Sequence, residues 1–110
     1  MRLRKGDVCL IKLSGGLGHE QSGNRPAVIL AATRTNIVVV IPITGNREAL
    51  RFSHTLPLKP TTKNGLALDS VALLFHIRAI DGRRVEQVLG RLEATAQDEI
   101  DHVLRNFLSL

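Results

Sequence analysis

The sequence predicts a mainly β fold closed by one C-terminal helix. Three observations carry this reading. Short, β-favouring apolar runs recur along residues 8–92, glycine, proline and asparagine punctuate them, and only the last stretch has a helical period. Several short strands with a single terminal helix imply a compact barrel with the helix packed on it. The 110 residues leave room for one domain, expected to span 1–110, with no internal repeat or linker. At that size roughly two-thirds of the unfolded surface is buried on folding, so neither a metal nor a disulfide is required.

The first strand is expected at residues 8–13, entered through Gly6-Asp7. Residues 14–25 hold four glycines and no periodicity, which reads as a long loop. Pro26 cannot donate to a ladder, so it is expected to open a second strand at 27–32. Residues 33–36 read as a turn into 37–41, an almost wholly apolar strand buried on both faces. Pro42-Ile43-Thr44-Gly45-Asn46 ends that strand and begins a second loop. Residues 52–59 are extended, with Pro57 and Pro60 confining them to an edge. Asn64-Gly65 signals a turn. Residues 66–75 and 76–80 alternate like further strands, and 85–92 adds one more. Near the end, Thr95 and Asp98 have the spacing of a capping box, with Asp in place of the usual Glu or Gln. Ile100, Val103, Leu104, Phe107 and Leu108 then share one face of an amphipathic helix.

The net charge of +5 is uneven: residues 1–80 hold 11 Lys/Arg against 4 Asp/Glu, and residues 81–110 hold 4 against 6. A basic body suits a polyanionic partner, and an ordinary solvated surface accounts for it equally well. With no Trp or Tyr, and only Phe52, Phe75 and Phe107, the composition speaks against a module that stacks bases on an aromatic platform. Any recognition of RNA would then rest on hydrogen bonds, phosphate contacts and arginine planes. The single Cys9 has no partner for an internal bridge and reads as a core filler, and no Cys/His spacing resembles a zinc site. No cofactor or metal is expected. The basic start has no apolar run behind it, and the apolar stretches 26–32 and 37–43 are too short to cross a bilayer. A reducing, cytoplasmic setting follows as the expectation.

Gly6-Asp7-Val8, then Gly18-His19-Glu20-Gln21, then Gly23-Asn24-Arg25-Pro26-Ala27 resemble the opening of the MazF/PemK toxin family. Val40-Ile41-Pro42-Ile43-Thr44 is similar to its strand ending in Pro-x-Thr, and Asp69-Ser70-Val71 with Ile77-Arg78-Ala79-Ile80-Asp81 to its downstream signature. Each piece alone is weak; in order, and over nearly the whole chain, they are specific. The resemblance implies an SH3-like barrel of the CcdB/MazF/Kid toxin type, a homodimer, and cleavage of single-stranded RNA at short sequences without metal. It also implies a cognate MazE-like antitoxin whose flexible acidic tail covers the RNA groove. By motif, the catalytic pair would be Arg25 and Thr44, and the loop His19-Glu20-Gln21 would line the groove. One departure stands out. Many members carry an acidic residue and Gln where this chain has Phe75 and His76, so the acidic group assigned a catalytic role in some relatives is missing here.

The chemistry agrees with the residue types. RNA is cut when its own 2′-hydroxyl attacks the adjacent phosphorus, leaving a 2′,3′-cyclic phosphate and a 5′-hydroxyl. Such a step needs in-line geometry, a proton acceptor, charge stabilisation on the phosphoryl oxygens and a proton for the leaving oxygen. An arginine fork clamps two phosphoryl oxygens, and a threonine hydroxyl adds one hydrogen bond. Histidine is the side chain for proton movement near neutral pH. His19 reads either as a substrate or catalytic group or as loop structure. His76 either contacts a base or assists proton transfer from the Gln position, or is a strand histidine held by backbone. His54 is undecided and His102 reads as surface. Glu20 either accepts a base amino group or anchors the loop to Arg25, and Gln21 is similarly open. Arg47 and Arg51, after the second loop, are candidates for RNA backbone contacts. Arg78 with Asp81 reads as a turn-stabilising pair, and Arg83, Arg84 and Arg91 read as surface rather than phosphate contacts. Two rival functions remain: a CcdB-like toxin that poisons gyrase without cutting RNA, and a plain SH3-like interaction module.

Overall fold

Alternation along the strands sorts the apolar residues onto two faces, and each face builds its own core. The computed structural model describes residues 2–13 and 23–110. The described strands are β1 (Asp7–Leu13), β2 (Gly23–Ala32), β3 (Ile37–Thr44), β4 (Thr55–Leu58), β5 (Ser70–Leu73), β6 (Arg78–Asp81) and β7 (Val85–Arg91). They pair antiparallel in the order β4-β5-β3-β2-β1-β7, with β6 against β3. Cys9, Ile11, Ala27, Ile29, Val38, Val40, Ile80 and Val85 fill one face. Val8, Val28, Ile41, Ile43, Leu56, Leu58, Ala72 and Leu74 fill the other, where the helix α1 (Ala94–Leu108) adds Ile100 and Leu104. Each of those two side chains contributes roughly 1.5–3 kcal/mol by leaving water. The expected mainly β fold with a C-terminal helix is what forms, and β4 lies at an edge as Pro57 requires.

Several boundaries differ from the sequence reading, each for a tertiary reason. β2 starts at Gly23, so Pro26 lies inside the strand. The β3 ladder reaches only to Ala27↔Pro42, so at Pro26 the strand is paired with β1 alone and no N–H is missed on the other side. β3 continues through Pro42 to Thr44 because it changes partners on one side, pairing β6 along Ile37–Val40 and β5 at Ile43 and Thr44. Residues 74–76 form a 3-10 turn, not strand, and His76 ends it.

The capping box does not form. Glu93, not Thr95, is the helix N-cap residue, and it makes no side-chain cap. Its carboxylate accepts from Thr61 Oγ1 at 2.7 Å, which holds it below its ordinary pKa and ties the helix start to the 61–65 loop. The fully buried Leu92, whose N–H donates to Gly6 O, fixes where the strand ends. Leu108, expected on the buried face, is 46% exposed.

Asn64-Gly65 does make a turn, and the reason is specific. Gly65 has φ +73, and a Cβ there would lie 2.2 Å from Leu89 O. The buried Asn64 side chain accepts from Thr61 N and Leu66 N and donates to Lys59 O. This turn packs on β7 and has no part in the site described next.

Candidate functional site

The site is set by where β2 and β3 end. Ala27↔Pro42 is the last pair of their ladder. Two residues further on in each strand stand Arg25 and Thr44, so the alternation of side chains directs both to one face. Arg25 is also directly opposite Ile11 of β1, which assigns it to the Cys9–Ile11–Ala27 core face. The guanidinium therefore rises from the rim of an apolar core. Ile11 and Ala27 are fully buried. Arg25 Nε is sealed from solvent and has no hydrogen-bond partner among the described residues.

Thr44 is 6% exposed, and its Oγ1 accepts from Asn46 N at 3.2 Å. A hydroxyl oriented by an incoming N–H keeps its own hydrogen to donate. The same strand end leads into a 3-10 turn, Arg47–Arg51, capped by Asn46 Oδ1 accepting from Glu48 N. Arg47 is exposed and pairs with Asp69 at 3.4 Å, a solvated contact worth little to stability. The Arg51 guanidinium lies 4.9 Å above the Phe52 ring. His76 is exposed, with its ring 4.5 Å from that of Phe75.

The structure thus brings Arg25 and Thr44 to one face and sets Arg47 on the turn that follows Thr44. Arg51 and His76 gather on a neighbouring surface around Phe52 and Phe75, whose rings meet edge to face at 6.0 Å. His19, Glu20 and Gln21 lie outside the described residues. His54 belongs elsewhere, its ring 4.8 Å from Phe107 on α1. His102 is exposed, as expected.

Two ion-pair expectations are corrected. Asp81 pairs with Arg83 at 2.7 Å, not with Arg78, and that contact lowers its pKa to about 2. The reason is local: Asp81 caps the 3-10 turn Gly82–Arg84 by accepting from Arg83 N, which brings the Arg83 side chain to it. Arg91, expected at the surface, is half-buried and donates to the nearly sealed Asp7 at 3.1 Å, because Asp7↔Arg91 is a cross-strand pair. Arg78 is left exposed, opposite Val40 and so on the Arg25 face. Its period-2 spacing from the buried Ile80 was a sequence signal for that placement. Cys9 is fully buried, and burial together with Asp7 pushes its thiol up to about 11, an inert core thiol.

A sequence profile of PemK-like, MazF-like toxins of type II toxin-antitoxin systems matches residues 4–108. The chain belongs to this family. Among solved structures, the fold is similar to MazF from Deinococcus radiodurans, with a TM-score of 0.76 at 23% identity over 96% of each chain. It is also similar to the toxin MazF-mt6 of Mycobacterium tuberculosis, with a TM-score of 0.75 at 20% identity over 94% of this chain and 97% of the other. A mycobacterial endoribonuclease solved in complex with its cognate antitoxin superposes with a TM-score of 0.74 at 18% identity, covering 99% and 97%. At these identities the structural likenesses establish the MazF toxin fold. The profile match supports a toxin of a type II toxin-antitoxin system. Among the described residues no helix is long and apolar enough to cross a membrane.

Proposed function

We propose that this MazF-family chain is a sequence-specific, metal-independent endoribonuclease that cuts single-stranded RNA. The observation that carries this reading is the Arg25–Thr44 face: a guanidinium whose buried Nε donor has no partner among the described residues, on the same face as a hydroxyl that accepts from Asn46 N. An unmet buried donor is costly, and a phosphoryl oxygen is a strong acceptor that satisfies it.

In the proposed step the 2′-oxygen attacks the adjacent phosphorus while the P–O5′ bond breaks. Arg25 takes the charge on the phosphoryl oxygens and Thr44 adds one hydrogen bond. The 2′ proton passes to a neighbouring base, for which His19, on the segment running into β2, is the candidate. The 5′-oxygen leaves as a hydroxyl after gaining a proton. The products are a 2′,3′-cyclic phosphate and a 5′-hydroxyl. His19, Glu20, Gln21, Arg47, Arg51 and His76 are assigned to substrate binding. We further assign Arg78 to a phosphate contact on the same face. The active form is proposed to be a cytoplasmic homodimer, opposed by an antitoxin with an acidic tail that complements the basic body. Relatives solved as MazE–MazF complexes support that partner.

The test is incubation of the protein with a long single-stranded RNA in excess EDTA, with mapping of the fragment ends. Cleavage giving 5′-hydroxyl ends, lost in Arg25→Ala and reduced about 10²–10³-fold in Thr44→Val, supports the proposal. Intact RNA across diverse sequences, with binding to gyrase or another protein instead, overturns it.

A further inference from the structure

The aromatic content argues at first against base stacking, yet the fold concentrates what there is. Two of the three phenylalanines in the chain meet on one surface, joining the 3-10 turn after β3 to the 3-10 turn after β5. Phe52 is 50% exposed, Phe75 is half-buried, and His76 lies against Phe75. Arg51 covers one face of Phe52. Folding normally hides phenylalanine, so an exposed Phe52 against a half-buried Phe75, with Arg51 over the ring, asks for an occupant. The charge selects among occupants. Arg47, Glu48 and Arg51 share the first turn; Arg47 pairs with Asp69, and Arg51 is the cation that lies directly over a ring. A flat π system attached to a phosphate chain satisfies both features at once, with the ring faces taking the base and the arginines the backbone.

We propose that Phe75, with Phe52 at its edge, is a stacking platform for one base of the single-stranded RNA substrate. This rests on the endoribonuclease reading. Phe52 follows Thr44 by eight residues, five of them in the 3-10 turn, so the platform adjoins the segment that leaves the strand end. Stacking is tolerant of base identity, and so Phe75 sets affinity and register on the strand while His76 beside it reads a base edge.

The experiment begins by mapping the cut in a short RNA with the wild-type protein. A non-cleavable version with 2′-deoxyribose at the cut nucleotide is then made with 2-aminopurine placed at each position in turn. Stacking predicts that one position, off the cut, is quenched on binding, and that Phe75→Ala abolishes that quench. Binding of the same RNA weakens about 5–30-fold in Phe75→Ala and less in Phe52→Ala, and Phe75→Tyr restores it. Unchanged quenching and affinity in Phe75→Ala, in a protein that cleaves RNA normally, overturn the platform alone. Loss of self-association in Phe75→Ala, read by sedimentation at equal concentration, also overturns it by making the rings a contact between copies. Failure of the wild-type protein to cut any RNA removes the function on which the platform rests, a distinct result.

Discussion

Replacing Arg25 with methionine keeps most of the side-chain length and removes the charge and all five N–H donors. In the structure the Nε donor is sealed on the rim of the Ile11–Ala27 core face with no partner among the described residues. A buried unsatisfied donor costs about 1–3 kcal/mol. Arg25 as a residue is half-buried, so the lower end applies and the gain on removing it is about 1 kcal/mol. For a domain of this size that raises Tm by about 4 °C. On the proposed endoribonuclease reading, RNA cleavage should meanwhile fall about 10²–10³-fold, because the cation assigned to the phosphoryl oxygens is gone. The assay is a thermal melt by circular dichroism beside cleavage kinetics, with both proteins at the same concentration. Greater stability with lost activity is the signature of a group held for a ligand at a cost to the fold. A Tm lowered by several degrees would refute the reasoning, because the guanidinium would then be earning stability within the folded chain.

Three further outcomes are expected. Burial raises Cys9 from 9.0 to about 11, so the unfolded chain ionises first; stability is full below pH 9 and is lost as pH climbs toward 11. Urea midpoints at pH 8 and pH 10.5 should show a smaller decline in Cys9→Ala than in wild type, and equal declines would contradict the linkage. Asn64→Ala strips acceptors from Thr61 N and Leu66 N and should destabilise by roughly 2–4 kcal/mol in urea titrations, with an effect below 1 kcal/mol counting against the buried network. Arg47→Ala should flatten the salt dependence of RNA binding by about 0.7 in log–log slope while changing stability by less than about 0.5 kcal/mol. A slope equal to wild type would remove Arg47 from the backbone contacts.

How far the sequence reached is plain in particular elements. Period-2 runs and the Ile100–Leu104 stripe placed the strands and the helix, because burial of one face forces that spacing whatever the neighbours are. The motifs singled out Arg25 and Thr44, which stand near the ends of β2 and β3, and apolar surroundings marked Cys9 as buried. Boundaries were less legible. Pro26 could lie within a strand only because β3 leaves β2 at Pro42, and Thr95 lost the cap because Leu92 and Glu93 were already committed to Gly6 and Thr61. Asp81 chose Arg83 over Arg78 through a cap that exists only once the 82–84 turn has formed.

What the sequence by itself determined is the chemistry on offer: a basic chain, one arginine and one threonine in recognisable settings, and a β pattern able to hold them. Only the tertiary structure decided which side chains share a face, which charges neutralise one another, and that Phe52 and Phe75, 23 positions apart, meet at the surface. The physical reason is that period and propensity act over neighbours along the chain. Register, ion-pair choice and exposure depend on which distant strand arrives alongside, and that is settled by packing of the whole.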